Sequence, residues 1–143
     1  MTSRPGAEPL DLVHLISGVN RRLEKAIEAR LKPAGVAIER YRVLAALNLT
    51  ESRTMGDLAA QVFVDLPTLT KIIDRMVANG EVYRAPDPAD RRRVLIFSAD
   101  KGRQTFRSLR DLLKSEENSL TGRLNPHEAD QLKALLTALL NQA

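Results

Sequence analysis

The apolar period of this chain changes from helical to extended between Gly80 and Asp100 and then changes back, which sets one hairpin inside an otherwise helical chain. Val82-Tyr83-Arg84-Ala85 and Val94-Leu95-Ile96-Phe97-Ser98 are short, β-branched and aromatic, and read as two strands. Between them, Pro86-Asp87-Pro88-Ala89-Asp90-Arg91-Arg92-Arg93 is too long for a two-residue turn and heavily charged. Two strands alone are marginal in water, so the hairpin must lean on the helices around it.

The helices are legible from their stripes and caps. From Leu10, the residues Leu12, Ile16, Val19, Leu23, Ile27 and Leu31 form one side of a long helix that Pro33 and Gly35 end. A second helix is expected over about Ile38 to Leu49, with Tyr41, Leu44, Ala45 and Leu47 available for packing. Thr54-x-x-Asp57 announces a short helix to about Gln61. After the apolar connection Val62-Phe63-Val64, Asp65 caps a longer helix with Leu66, Leu69, Ile73, Met76 and Val77 on one side. Asn79-Gly80 ends it in the left-handed position that glycine tolerates. Past the hairpin, a helix from about Asp100 carries Phe106, Leu109, Leu112, Leu113 and Leu120 and stops near Gly122. Asn125-Pro126-His127-Glu128 supplies a cap, a proline at the first helical position and an acid three residues after the cap. The last helix presents Leu132, Leu135, Leu136, Leu139 and Leu140. Residues 1–9, with two prolines and one glycine, read as a flexible tail.

Composition narrows the function. A chain of 143 residues with 43% apolar content is expected to make one domain with a real core, over residues 10–143. The absence of cysteine removes disulfides, thiolate metal sites, cysteine nucleophiles and thiol redox sensing. With two histidines and five aromatics there is little for a metal cluster or a single-strand stacking surface. The sequence has no Gly-x-Ser-x-Gly elbow, no phosphate-cradling glycine loop and no His-Glu-x-x-His, so enzymatic readings fare badly and no cofactor is expected. No apolar signal region or spanning segment of ~18 residues is present, and the cytoplasm is the expected location. The net charge of +4 is modest, so function must lie in where the arginines stand.

Residues 38–98 read as a helix-turn-helix followed by a β-hairpin wing. A helix entering the major groove needs one apolar face and short polar or basic side chains on the other. Pro67, Thr68, Lys71, Asp74 and Arg75 lie on the outward arc of the helix after Asp65, with Thr70 at its flank. Lys71 and Arg75 suit phosphates or guanine edges, and the threonines suit mixed polar and methyl contacts. Taken alone, this helix is also an ordinary solvated amphipathic helix. The hairpin shifts the balance: residues 84–93 hold Arg84, Arg91, Arg92 and Arg93 against Asp87 and Asp90, a net of +2 on one projection. Arginine suits a narrow, electronegative minor groove, and Asp90 is near enough in sequence to hold the Arg92 guanidinium. A charged loop that merely blunts the hairpin edge is the bland alternative.

The stretch Asp65-Leu-Pro-Thr-Leu-Thr-Lys-Ile-Ile-Asp-Arg-Met-Val-Ala-Asn-Gly80, followed by Asp87-Pro-Ala-Asp-Arg-Arg-Arg-Val-Leu-Ile-Phe-Ser98, resembles the MarR family of bacterial regulators. The likeness covers nearly the whole chain, and Asp-Pro-x-Asp-Arg-Arg is its most specific part. It implies a mainly α fold with a small β-hairpin wing: a winged helix-turn-helix core over about 38–98, flanked by dimerisation helices at about 10–32 and 100–141. It also implies a homodimer on a palindromic operator, a repressor more than an activator, often released by a small aromatic or lipophilic ligand. Thr54, Pro67, Thr68, Thr70, Lys71, Arg75, Arg84, Asp90, Arg91, Arg92 and Arg93 are the expected DNA-binding residues. Ala37 departs from the family's usual Thr or Ser cap on the second helix, a loss of ~1 kcal/mol. Ser98 replaces the usual Thr after the wing, and Pro67 falls within the first helical turn, where a missing N–H is tolerated.

Two questions stay open at this level. The leucine stripes of the terminal helices either pair with a second copy or pack on the same chain. Pairing is favoured, because one wing and one short helix would give weak specificity. His127 reads as part of a capping turn. His14 is either a packed or half-exposed residue or, in a family-like fold, part of a cleft with Arg40, Tyr41 and Arg42 that pairs an aromatic acid with an arginine. The rival function is a small-molecule-binding helical dimer without specific DNA binding, whose wing would need no positive charge. A non-specific chromatin-like binder would carry far more than +4.

Overall fold

A computed structural model describes residues 10–141; the tail expected over residues 1–9 lies outside the described residues. In chain order the elements are α1 (Leu12–Leu31), a single 3-10 turn (Lys32–Ala34), α2 (Ile38–Leu49), β1 (Ser52–Thr54), α3 (Met55–Val62), α4 (Leu66–Ala78), β2 (Val82–Pro86), β3 (Val94–Ser98), α5 (Asp100–Thr121) and α6 (Pro126–Leu140). The fold is mainly α with a small antiparallel sheet, in the order β1-β3-β2.

Local chemistry explains the boundaries. The Asp11, Thr54, Asp65 and Asn125 side chains each accept a backbone N–H three residues on, so each satisfies a donor that the new helix leaves unpaired. At α6 the Glu128 carboxylate returns the favour to the Asn125 N–H, completing a capping box. The expected gap at α2 is present: its N-cap Ala37 makes no side-chain bond. Gly80 ends α4 with φ 74°. Phe63 does the same for α3 at φ 61°, an uncommon setting for a bulky side chain that lets the chain reach Asp65 in two further residues.

β1 was not expected. Ser52, Arg53 and Thr54 pair with Phe97, Ile96 and Leu95, so the hairpin leans on a third strand as well as on helices. Leu66, expected on the packed side of α4, is exposed, because it sits at the first helical position and projects past the end of the core. Two apolar clusters result. One gathers Leu44, Leu47, Leu58, Leu69, Ile73, Met76, Val82 and Ile96 under the sheet; the other joins Leu31, Ile38, Leu109 and Leu113 where α1, α2 and α5 meet. Tyr41 touches both and stacks on Phe106 at 5.8 Å. Burial pushes its phenol above the ordinary tyrosine range, Glu117 adds to the rise, and Arg110 opposes it.

The ends of the molecule differ from its middle. Leu31 is fully buried, but Leu12, Ile16 and Val19 at the start of the same stripe are exposed. α6 buries no residue at all, and its five leucines from Leu132 to Leu140 face outward. Its side-chain tie to α5 is Lys133 Nζ to Glu117 Oε1 at 3.0 Å.

Candidate nucleic-acid interface

Three elements present the candidate side chains: the N-terminus of α3, the outward face of α4 and the β2–β3 loop. Leu69, Ile73 and Met76 are buried, which anchors one face of α4 and fixes the other outward. Pro67, Thr68, Thr70, Lys71, Asp74 and Arg75 are all exposed on α4. Lys71 and Arg75 make no ion pair among the described residues, so both cations stand available. The threonines are less free. The Thr68 hydroxyl and N–H both bond to Asp65 and hold that carboxyl below the usual carboxylate range. The Thr70 hydroxyl donates to the Leu66 carbonyl at 2.9 Å, which leaves its oxygen free to accept. Thr54 caps α3 through its oxygen and keeps its own proton to donate.

The loop is built by aspartates. Asp87 Oδ1 accepts from the Ala89 N–H at 2.9 Å and Asp90 Oδ1 from the Arg92 N–H at 3.1 Å, two side-chain turns in succession. The Arg93 N–H closes on the Asp90 carbonyl at 2.9 Å, and the Asp87 N–H on the Arg93 carbonyl at 2.9 Å. Arg91, Arg92 and Arg93 are therefore carried on an ordered turn and point into solvent. The expected Asp90–Arg92 contact exists in a different form: Nε lies 3.8 Å from Oδ1 and the Arg92 side chain is 96% exposed, so the firm bond is to the backbone. Arg84 has a partner within the chain. Its guanidinium donates to Asp74 on α4, a partner that the sequence reading left on the outward arc.

Of the residues expected around a small ligand, Arg40, Tyr41 and Arg42 follow one another on α2, and His14 stands apart near the start of α1. Arg42 pairs with Glu24 at 2.6 Å, and Arg40 pairs with Glu81. His14 is exposed and bonds Asp11; it precedes Glu24 by ten residues of α1, a rise of roughly 15 Å. Tyr41 is spent on Phe106. Two surface depressions, of about 390 and 260 Å³, are lined by Glu28, Lys32 and residues 35–39 and by Arg22, Leu23, Ala26, Glu116, Ser119, Leu120 and Arg123, and none of the four expected residues lines either. Each of the two arginines is thus held by a carboxylate of its own chain. Among the described residues, no group of three or more His, Asp or Glu is set to hold a metal. No helix there is long and apolar enough to cross a membrane.

Sequence reasoning missed Glu81, the one fully buried acid among the described residues. Its Oε1 accepts from Arg40 Nε at 2.8 Å and lies 2.7 Å from Nη2 in the same ion pair, and its Oε2 has no partner. Its backbone is engaged as well: the N–H bonds the Met76 carbonyl and the carbonyl accepts from Ala99, both at 2.9 Å. Glu81 thereby ties the end of α4 and the root of the wing to α2 and α5.

Comparison with known proteins places this architecture. A family model described as "MarR family" matches residues 34–93. The multiple antibiotic resistance protein MarR of Escherichia coli K12 is 29% identical over 134 residues, covering 93% of this chain and 93% of that protein. The HTH-type transcriptional regulator TtmR of Methylorubrum extorquens PA1 is 30% identical over 140 residues, or 96% of this chain and 69% of the regulator. The crystal structure of a mutant Escherichia coli MarR complexed with operator DNA superposes with a TM-score of 0.75 at 28% identity, covering 92% of this chain and 99% of that one.

Proposed function

This chain belongs to the MarR family of transcription regulators, and on that premise we propose that it is a repressor that binds a pseudo-palindromic operator as a homodimer. The observation that carries the reading is the pairing of two free cations on α4, Lys71 and Arg75, with three outward arginines on an ordered wing. α4 enters the major groove and the wing arginines enter the flanking minor groove, where arginine reads width more than base identity. The operator complex described for the Escherichia coli relative supports the same partner here. A small aromatic or lipophilic effector that releases the DNA is part of the proposal.

The dimer is supported by the exposed leucines of α6 and the open half of the α1 stripe, an apolar surface too large to leave in water. Light scattering at micromolar concentration is expected to give about twice 15.9 kDa; a monomer under those conditions would sink the dimer. Two-fold symmetry then sets half-site centres about 34–36 Å apart. Footprinting on the DNA upstream of the protein's own gene tests the whole reading: two protected half-sites at that spacing support it, and uniform affinity for all DNA refutes it.

The wing gives a sharper expectation. Arg92→Ala should weaken binding at every site by several-fold or more and lower the salt dependence by about one phosphate equivalent per half-site. Asp90→Ala removes a negative charge near DNA, yet should also weaken binding, because the turn that aims Arg92 loses its acceptor. Asp90→Asn keeps an acceptor for the Arg92 N–H and should bind like the parent. Operator affinity at two salt concentrations separates these roles; an Asp90→Ala variant that binds more tightly would reduce the wing to a positive patch.

A further inference from the structure

The helix proposed to face DNA carries an acid on its outward side. Asp74 lies on the arc of Lys71 and Arg75, one turn beyond Thr70, with its side chain 60% exposed. Unpaired, a carboxylate there would repel the phosphates of any duplex laid against the helix. It is not unpaired: Arg84 on β2 donates its Nη2 to Asp74 Oδ1. The strand register explains the reach. Arg84 stands opposite Ile96, which is fully buried, so both leave the same face of the sheet, toward the helices. Val82, two residues back on that face, is packed in the core; Arg84 is one pleat further out, where the face clears the core and meets α4. A pair this exposed adds little to folding stability, and its value lies in geometry.

We propose that Asp74 and Arg84 form a strut between α4 and the wing. The strut sets the distance between the part of the chain aimed at the major groove and the part aimed at the minor groove. Arg84 is then a positioning residue and not a phosphate contact. Asp74 supports DNA binding despite its charge, because its partner cancels that charge and its hold on β2 steadies the arginine loop. This inference rests on the operator-binding reading above.

The test compares the parent, Arg84→Gln, Asp74→Asn and the double variant by fluorescence anisotropy on the footprinted DNA across a salt series. Each single change should weaken binding on the order of 10-fold, and the double should be no weaker than the worse single, the mark of one shared interaction. The salt slope should stay at the parent's value. A direct phosphate contact gives another pattern, and any part of it overturns the strut: the slope for Arg84→Gln falls by about one per protomer, Asp74→Asn binds more tightly, or the two effects add. Hydrogen exchange without DNA supplies an independent arm. Both single variants should raise exchange of the hairpin amides of residues 83–85 and 94–97 while α1 and α5 keep theirs; unchanged hairpin exchange overturns the proposal. A parent that binds all DNA alike refutes the operator reading instead, and leaves hairpin exchange to decide on the strut.

Discussion

Arg40→Ala is expected to destabilise the folded chain by about 3–5 kcal/mol, because it strands a buried carboxylate. Glu81 is fully enclosed, its ion pair and its side-chain hydrogen bond both come from Arg40, and its second oxygen already lacks a partner. Against a total stability of roughly 5–15 kcal/mol for a domain, the loss is large enough to shift a urea midpoint far outside error. The pair as a whole is another matter. Replacing both ends by apolar residues, Arg40→Met with Glu81→Leu, should recover most of the loss, since the desolvation that the pair must overcome disappears with it. A single variant within about 1 kcal/mol of the parent would mean that Glu81 finds another partner in solution.

Gly102→Ala is the second large effect. A Cβ at this position would sit 2.2 Å from the Glu81 carbonyl oxygen and 3.1 Å from the carbonyl carbon. That oxygen is the acceptor for the Ala99 N–H at the head of α5, so it cannot move away without loosening the bond that docks α5 onto the wing root. Overpacking of this kind costs about 1–3 kcal/mol, and alanine returns about 1 kcal/mol of helix propensity. A backbone atom as the obstacle puts the net near 2 kcal/mol, read again from the urea midpoint. The same substitution at Gly18, where a Cβ meets nothing within 4 Å, should stabilise or leave stability unchanged. Equal effects at the two sites would remove the close approach as the reason for Gly102.

What the sequence disclosed and what it hid divide by range. The caps at Thr54, Asp65 and Asn125 are bonds between residues three apart, so their whole chemistry lies inside a short window. The aspartate turns of the wing are of the same kind, although the backbone bond of Asp90 went unseen behind its charge. Arg40–Glu81 spans 41 positions and Arg42–Glu24 spans 18, and nothing local marks either partner. An acid between Gly80 and Val82 reads as a solvent residue at a strand entrance, and only the approach of α2 makes it a core residue. β1 escaped because three residues cannot display an alternation. Gly102 did leave a signal: a glycine one turn into a helix, where it weakens the helix, marks close backbone approach. For the surface proposed to face DNA, the types of residue were legible and their commitments were not. Arg84 is tied to Asp74, and the hydroxyls of Thr68 and Thr70 are turned onto their own helix.

α6 is 15 residues long, is capped at its start and buries nothing within its own chain. An isolated helix of that length is marginal in water even for a favourable sequence, so its order must be borrowed from whatever covers its leucines. In a homodimer that cover is a second protomer, and mass action then governs secondary structure. Dilution of such a dimer would unwind the end of the chain before it touched the core beneath the wing. The number of copies in a cell would thus set how much of each copy is folded, and the amount of regulator would be read out in its own shape.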